Sequence, residues 1–172
     1  ITVPSATRTI RKSNTFCRCV LKMDHHCVML NNCVGFATYK LFILMICYAI
    51  LFCAFMAATL LQILIWQLVE GKLIGSSIQF LIICVYAFGL GFCCIALASL
   101  HFYLIYHNRT TIEQIQYKDL KKDGELTDDW YGYKYNVGRK ENWQQVFGEN
   151  PWLWFIPHRN SKGNGVIFPK NE

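Results

Sequence analysis

The chain has 172 residues, 53% of them hydrophobic and 15% aromatic, with a net charge of +6 and a positive mean hydropathy. A soluble core of this length cannot hide so much apolar sequence, which excludes a plain cytosolic domain.

Residues 1–40 form a segment rich in cysteine and histidine. The chain opens on Ile1, and nothing before Leu41 looks like a signal peptide or a leading span, so it reads as a piece of a longer protein. Cys17, Cys19, Cys27 and Cys33 crowd this segment, and reduced thiols there act as metal ligands or nucleophiles. Within it stands Asp24-His25-His26-Cys27. A thiolate is the effective sulfur nucleophile, an adjacent imidazole takes its proton, and a carboxylate fixes the imidazole tautomer; Cys27, His25 and Asp24 supply those parts. The four residues are too compact for a regular strand or helix to do this alone, so a rigid support is expected. His26 and Cys33, with Cys17 and Cys19, would complete a tetrahedral Cys3His zinc site that provides it. On spacing alone, Cys27 as one more zinc ligand is an equal reading.

Two apolar runs follow, 41–68 and 74–106, each longer than the ~20 residues that cross a bilayer core and neither containing a charge. Gln62, Gln67 and His101 are their main polar interruptions. Cys47, Cys53, Cys84, Cys93 and Cys94 lie within them and read as small apolar side chains. The connection, 69–73, holds only Lys72, whereas six basic residues precede the first run and ten follow the second. By the positive-inside rule both ends are cytosolic and the connection is lumenal or extracellular. Asn108-Arg109-Thr110 is a glycosylation sequon that stays unused in that orientation. Tyr39, Trp66 and Tyr106 suit the interfacial aromatic belt.

The remaining tail is 107–172. Its mixed-charge stretch 118–129 reads as a solvated loop, and Trp143, Phe147, Trp152, Trp154 and Phe155, bracketed by Pro151 and Pro157, read as an amphipathic element in the membrane interface.

These residues resemble the DHHC-type protein S-acyltransferases, or palmitoyltransferases. The likeness rests on Asp24-His25-His26-Cys27 flanked by Cys19-Val20-Leu21-Lys22-Met23 and Asn31-Asn32-Cys33-Val34-Gly35-Phe36, and on Thr110-Thr111-Ile112-Glu113 as the TTxE motif. Asn142-Trp143-Gln144-Gln145-Val146-Phe147-Gly148 matches the C-terminal Asn-x4-Phe-Gly segment, and 161–169 resembles the Gly-rich, Phe-Pro ending of some animal members. The resemblance implies an all-α membrane protein, a two-helix transmembrane hairpin between a truncated zinc-binding segment and a cytosolic amphipathic tail. It implies that Cys27 takes a long-chain acyl group from acyl-CoA, with His25 as base and Asp24 orienting it, and passes it to cytosolic cysteines of substrate proteins. Tyr48 and Phe52, one helical turn apart, are candidates for the acyl-cavity wall, or ordinary packing residues. Lys22, Lys40 and Arg109 could meet the CoA phosphates, or anionic lipid headgroups. Glu113 is expected to pair with a cation, and Asn142 to cap or bridge backbone. Zinc is structural, the lipid bilayer is the medium, and no nucleic-acid partner is expected. Golgi, endoplasmic reticulum and plasma membrane all suit such a multi-pass protein.

The departures from the family pattern are specific. Upstream zinc ligands that should read His-Cys and then Cys are Lys12, Ser13 and Phe16, and the earlier cysteine pair is missing, as if a segment after Thr9-Ile10-Arg11 had been lost. Val28-Met29 stands where the family usually has Pro-Trp, and the family's leading spans are absent. The alternatives to an active enzyme are therefore a non-catalytic membrane remnant that binds partners or intact relatives, and a membrane-anchored zinc module.

Overall fold

The computed structural model describes residues 20–71, 76–127, 130 and 134–171. Cys17, Cys19, the upstream lead-in and Lys72 lie outside them. The chain divides into two compact units, one made of Ile1–Lys40 and Leu104–Glu172, the other of Leu41–Tyr103.

The second unit is built from two long helices, α1 (Tyr39–Val69) and α2 (Ser76–Tyr106), each of 31 residues. At 1.5 Å per residue each is about 46 Å long, ample for a ~30 Å hydrocarbon core. Neither contains proline, and the hydroxyls of Thr59 and Ser99 bond back to Phe55 and Ile95 carbonyls one turn earlier, so these two polar groups are satisfied within their own helices. Gly91 lets the helices approach: a Cβ there would sit 3.3 Å from the Cys53 Cβ. Phe42 packs edge-on against His101, 5.0 Å between ring centroids. Most other large side chains of this unit point outward, Phe52 at 64% and Phe92 at 73% exposure among them, and surface this apolar requires lipid or protein around it. The two apolar runs are thus helices long and apolar enough to cross a membrane.

The first unit is not all-helical. β1 (His25–Cys27) and β2 (Asn32–Val34) form an antiparallel hairpin, which corrects the all-α expectation to a mostly helical one and gives the Asp-His-His-Cys stretch a paired strand as support. Two further helices follow, α3 (Thr111–Asp123) and α4 (Arg139–Phe147), then a single 3-10 turn at Pro151–Leu153. α3 reaches into the stretch expected to be a solvated loop. Its start has a capping box, its end a left-handed Gly124 at φ 74°, and Lys121 and Lys122 oppose the helix dipole in the last turn. Together these outweigh a sequence with few apolar residues. Behind α4, Trp143 stacks on Phe147 at 4.5 Å and meets Trp154 edge-on at 5.9 Å, while the Trp154 indole donates to Gly148 O. The aromatic cluster therefore splits: Trp143, Phe147 and Trp154 make a small core, and Trp152 and Phe155 face outward.

Candidate functional site

Strand alternation sorts the Asp-His-His-Cys stretch into two faces. His25 and Cys27 are two apart on β1 and share one face; His26 points to the other, directly across from Cys33 in the register. The ladder continues below the strands, with Asp24 N–H donating to Val34 O at 2.8 Å and Phe36 N–H to Leu21 O at 2.9 Å. Gly35 makes this root possible, since a Cβ would fall 2.5 Å from Val20 Cγ1 and 2.9 Å from Leu21 O. At the tip, Asn31 takes a left-handed φ of 46° and closes the turn onto Val28 O. Val28 and Met29, the residues replacing Pro-Trp, are 84% and 93% exposed there.

Asp24 is 1% exposed and saturated with donors. Its Oδ2 lies 2.7 Å from His25 Nδ1 and accepts the Thr111 hydroxyl at 2.8 Å, and its Oδ1 accepts the Thr111 N–H at 2.8 Å. Thr111 is the first residue of α3, so the carboxylate also sits at the positive end of a helix. The bond to Asp24 raises the His25 pKa against the opposing effect of burial, with the Cys27 sulfur adding to the rise. Burial works against a Cys27 thiolate, but the Leu30 backbone, the His25 side chain and the Met29 backbone outweigh it and hold the thiol below its ordinary value. A carboxylate, an imidazole biased toward protonation and a thiol biased toward thiolate thus stand in series, an arrangement competent for nucleophilic transfer.

The TTxE motif resolves into two separate jobs. Thr110 caps α3 through its hydroxyl, Glu113 returns the bond to Thr110 N–H at 2.8 Å, and Thr111 alone reaches the site. Glu113 was expected to pair with a cation; its carboxylate closes the capping box and also acts on the charge of Lys22. The Ser/Thr-x-x-Glu spacing was the signal for that role, whereas nothing in the sequence marked Thr111 as the Asp24 partner.

Both lysines proposed for CoA phosphates face inward. Lys22 donates to Asn108 Oδ1 at 2.8 Å and lies 4.6 Å over the Phe168 ring. Lys40 is 2% exposed, and its three N–H groups meet Leu153 O at 2.7 Å, His158 O at 2.9 Å and Asn160 Oδ1 at 2.6 Å, which leaves none for a phosphate. Arg109 is likewise enclosed, its guanidinium 4.1 Å from the Tyr117 ring centroid and 4.9 Å from that of Trp130. In the second unit, Phe52 lines an open apolar groove with Cys53, Met56, Ile83, Tyr86 and Leu90; Tyr48 is not among its described lining residues. Asn142 bridges backbone as expected, donating to Tyr106 O at 2.8 Å and also to Asn136 Oδ1. Asn108 of the sequon is 7% exposed, and its amide nitrogen is committed to Tyr135 O and Gln145 Oε1.

Of the four expected metal ligands, Cys17 and Cys19 lie outside the described residues. His26 Nδ1 and Cys33 Sγ are 3.4 Å apart. Two ligands of one tetrahedral zinc, at their usual bond lengths, stand about 3.6 Å apart, so this pair fits a shared ion. A sulfur ligates as a thiolate, so the pair would hold the ion with Cys33 deprotonated.

Comparison with known proteins gives the family. The DHHC palmitoyltransferase family model matches residues 10–118. Palmitoyltransferase ZDHHC15A of Danio rerio is 36% identical over 156 residues, covering 88% of this chain and 44% of that protein. The human palmitoyltransferases ZDHHC2 and ZDHHC20 are 35% and 36% identical over 155 and 153 residues, each across 88% of this chain and 40% of its own length. The chain therefore spans less than half the length of these curated relatives. The matched segment includes both strands of the hairpin, both long helices and the start of α3, and on that extent the chain belongs to the DHHC palmitoyltransferase family.

Proposed function

We propose that the chain transfers a long-chain fatty acyl group from acyl-CoA to cysteines of other proteins through an acyl-Cys27 intermediate. In the first step the Cys27 thiolate attacks the thioester carbonyl carbon, the carbon–sulfur bond to CoA breaks, and the CoA sulfur leaves with the proton that His25 holds. In the second, an acceptor cysteine gives its proton to His25, its sulfur attacks the acyl-Cys27 carbonyl, and the Cys27 thiolate is regenerated. Each step exchanges one thioester for another, so the chemistry is close to balanced and needs positioning more than driving force.

The observation that carries this reading is the series Thr111, Asp24, His25, Cys27, with the carboxylate clamped from two sides and the thiol held toward thiolate. Zinc is assigned a structural role, with His26 and Cys33 as ligands alongside Cys17 and Cys19, on the hairpin face away from Cys27. The Phe52 groove has the apolar lining that an acyl chain requires. The basic excess beside both helices argues for cytosolic ends, in a membrane of the secretory pathway or the cell surface.

Incubation of the purified chain with an alkyne-labelled palmitoyl-CoA should give a hydroxylamine-sensitive label that Cys27→Ser abolishes. Absence of label on the unmutated chain overturns the enzyme reading and favours a non-catalytic role in binding partners, for which the exposed Val28 and Met29 tip is the supporting observation.

A further inference from the structure

The C-terminal segment 161–171 lies well beyond the matched family region, yet it is fixed at both ends within the first unit. Ser161 donates its hydroxyl to Val146 O at 3.1 Å, Lys162 N–H donates to Gln145 O at 3.2 Å, and Asn171 N–H donates to Lys134 O at 2.6 Å. Between these anchors, Asn164 Oδ1 accepts from the N–H groups of both Val166 and Ile167, which bends the chain back on itself. Gly165, at φ 77°, lies so close to Phe36 that a Cβ would fall 2.6 Å from its ring. The bend delivers Phe168 edge-on to Phe36 at 5.9 Å and under the Lys22 ammonium at 4.6 Å.

Lys22 is an unusual residue to find at that point. Its φ of 44° lies in the left-handed region, where a non-glycine residue costs on the order of 1 kcal/mol and persists only if its surroundings hold it. Those surroundings are the Phe168 ring on one side and Asn108 Oδ1, 2.8 Å away, on the other. Lys22 stands next to the residues whose backbone bonds, Asp24 N–H to Val34 O and Phe36 N–H to Leu21 O, close the root of the hairpin. It also lines, with Asp24, Phe36, Asn108, Gln145 and Phe168, a small cavity of about 40 Å3 behind the Asp24 carboxylate.

We infer that Lys22 and Phe168 form a latch through which the C-terminal segment holds the root of the hairpin and so positions Asp24. Both are positioning residues: neither touches Cys27, and they act through the backbone that carries Asp24 and His25. Burial lowers the Lys22 pKa, and the Glu113 and Asp24 carboxylates oppose that shift, favouring the ammonium that burial disfavours. The consequence for acyl transfer rests on the function proposed above; the latch itself does not.

The test is amide hydrogen exchange across residues 20–36 of the full chain in nanodiscs, in Lys22→Met, Phe168→Leu, their double variant, Phe168→Trp and Lys22→Arg. Each of the first two should speed exchange of the Asp24 and Phe36 amides by between about 2- and 30-fold, the range for a cation over an aromatic face from exposed to desolvated. The double variant should exchange no faster than the faster single one. Phe168→Trp, with the stronger π face, and Lys22→Arg should stay near the native rate. Native exchange in Phe168→Leu, or losses that multiply in the double variant, would overturn the latch. Should Lys22→Met fail to fold, the Leu and Trp substitutions at half-buried Phe168 decide the question alone. In parallel, the acylation rate of Cys27 at saturating palmitoyl-CoA should fall in Phe168→Leu and recover in Phe168→Trp with KM unchanged. If the native chain takes no label, the transfer reading fails while the exchange result still judges the latch.

Discussion

Thr111 gives Asp24 two hydrogen bonds, its backbone N–H to Oδ1 and its hydroxyl to Oδ2, each 2.8 Å long. The hydroxyl bond falls on the same oxygen that faces His25, so it governs how the carboxylate presents itself to the imidazole. Thr111→Val keeps the backbone bond and the side-chain shape and removes only the hydroxyl. A hydrogen bond to a charged group contributes about 1.5–3 kcal/mol, so Cys27 acylation should slow by about 10- to 150-fold, and Thr111→Ser should restore most of it. Native rates in the valine variant would mean that the backbone bond alone holds Asp24.

The His25 and Cys27 shifts have opposite signs, and each sets one edge of a pH window. His25 is raised, so its positive charge is present below its ordinary pKa and is lost as pH rises through the raised one. Cys27 is lowered, so its thiolate is present above the ordinary thiol pKa and is lost as pH falls through the lowered one. The two shifts move these edges toward each other, which favours the thiolate–imidazolium pair over what an ordinary thiol and imidazole would form. Alkylation of Cys27 by iodoacetamide should therefore proceed at pH values where an ordinary thiol is protonated, and His25→Gln should move the profile to higher pH. A profile that His25→Gln leaves in place would show that the Leu30 and Met29 backbone alone holds the thiolate.

Metal content should follow the His26 and Cys33 pair. His26 Nδ1 stands 3.4 Å from the Cys33 sulfur, close to the spacing of two ligands on one tetrahedral ion. Elemental analysis after reduction and zinc loading should find no more than about one zinc per chain, as a single four-ligand site requires, and none in His26→Ala or Cys33→Ser. Two zinc ions per chain would show that ligands outside the described residues make a second site.

The helices and the family were legible in the sequence because each rests on a long or dense signal: uninterrupted apolar runs for α1 and α2, and closely spaced motifs for the hairpin and α3. The hairpin itself was not. Strands as short as His25–Cys27 and Asn32–Val34 give no readable period, and it is the pairing of Cys27 with Asn32 and His25 with Val34 that separates the reacting face from the metal face. Lys22 and Lys40 were misplaced for a related reason. Charge near a membrane-spanning run predicts a side of the bilayer, but the direction of one side chain is decided by residues more than a hundred positions away, such as Leu153, Asn160 and Phe168. Glu113 was recognised as a motif residue acting on a cation, but its local role in the capping box was not named.

Lys40 offers the sharpest test of stability. It lies in the first turn of α1, is 2% exposed, and is surrounded by three neutral oxygens with no carboxylate among its bonded partners. A buried ammonium of this kind is tolerated because every N–H is used, and the oxygens in turn depend on it. Lys40→Met retains the aliphatic stem and leaves the Leu153 and His158 carbonyls and the Asn160 side chain without that donor. Since unsatisfied buried acceptors cost about 1–3 kcal/mol each before relaxation or hydration, the variant should be destabilised by about 2–4 kcal/mol. Loss should concentrate in the tail, so limited proteolysis should cut between residues 150 and 160 well before the long helices are attacked. Lys40→Arg should recover little, because a planar fork cannot direct three bonds to oxygens arranged around a tetrahedral nitrogen. An unchanged cleavage pattern in Lys40→Met would show that the Trp143, Phe147 and Trp154 core holds the tail without the lysine.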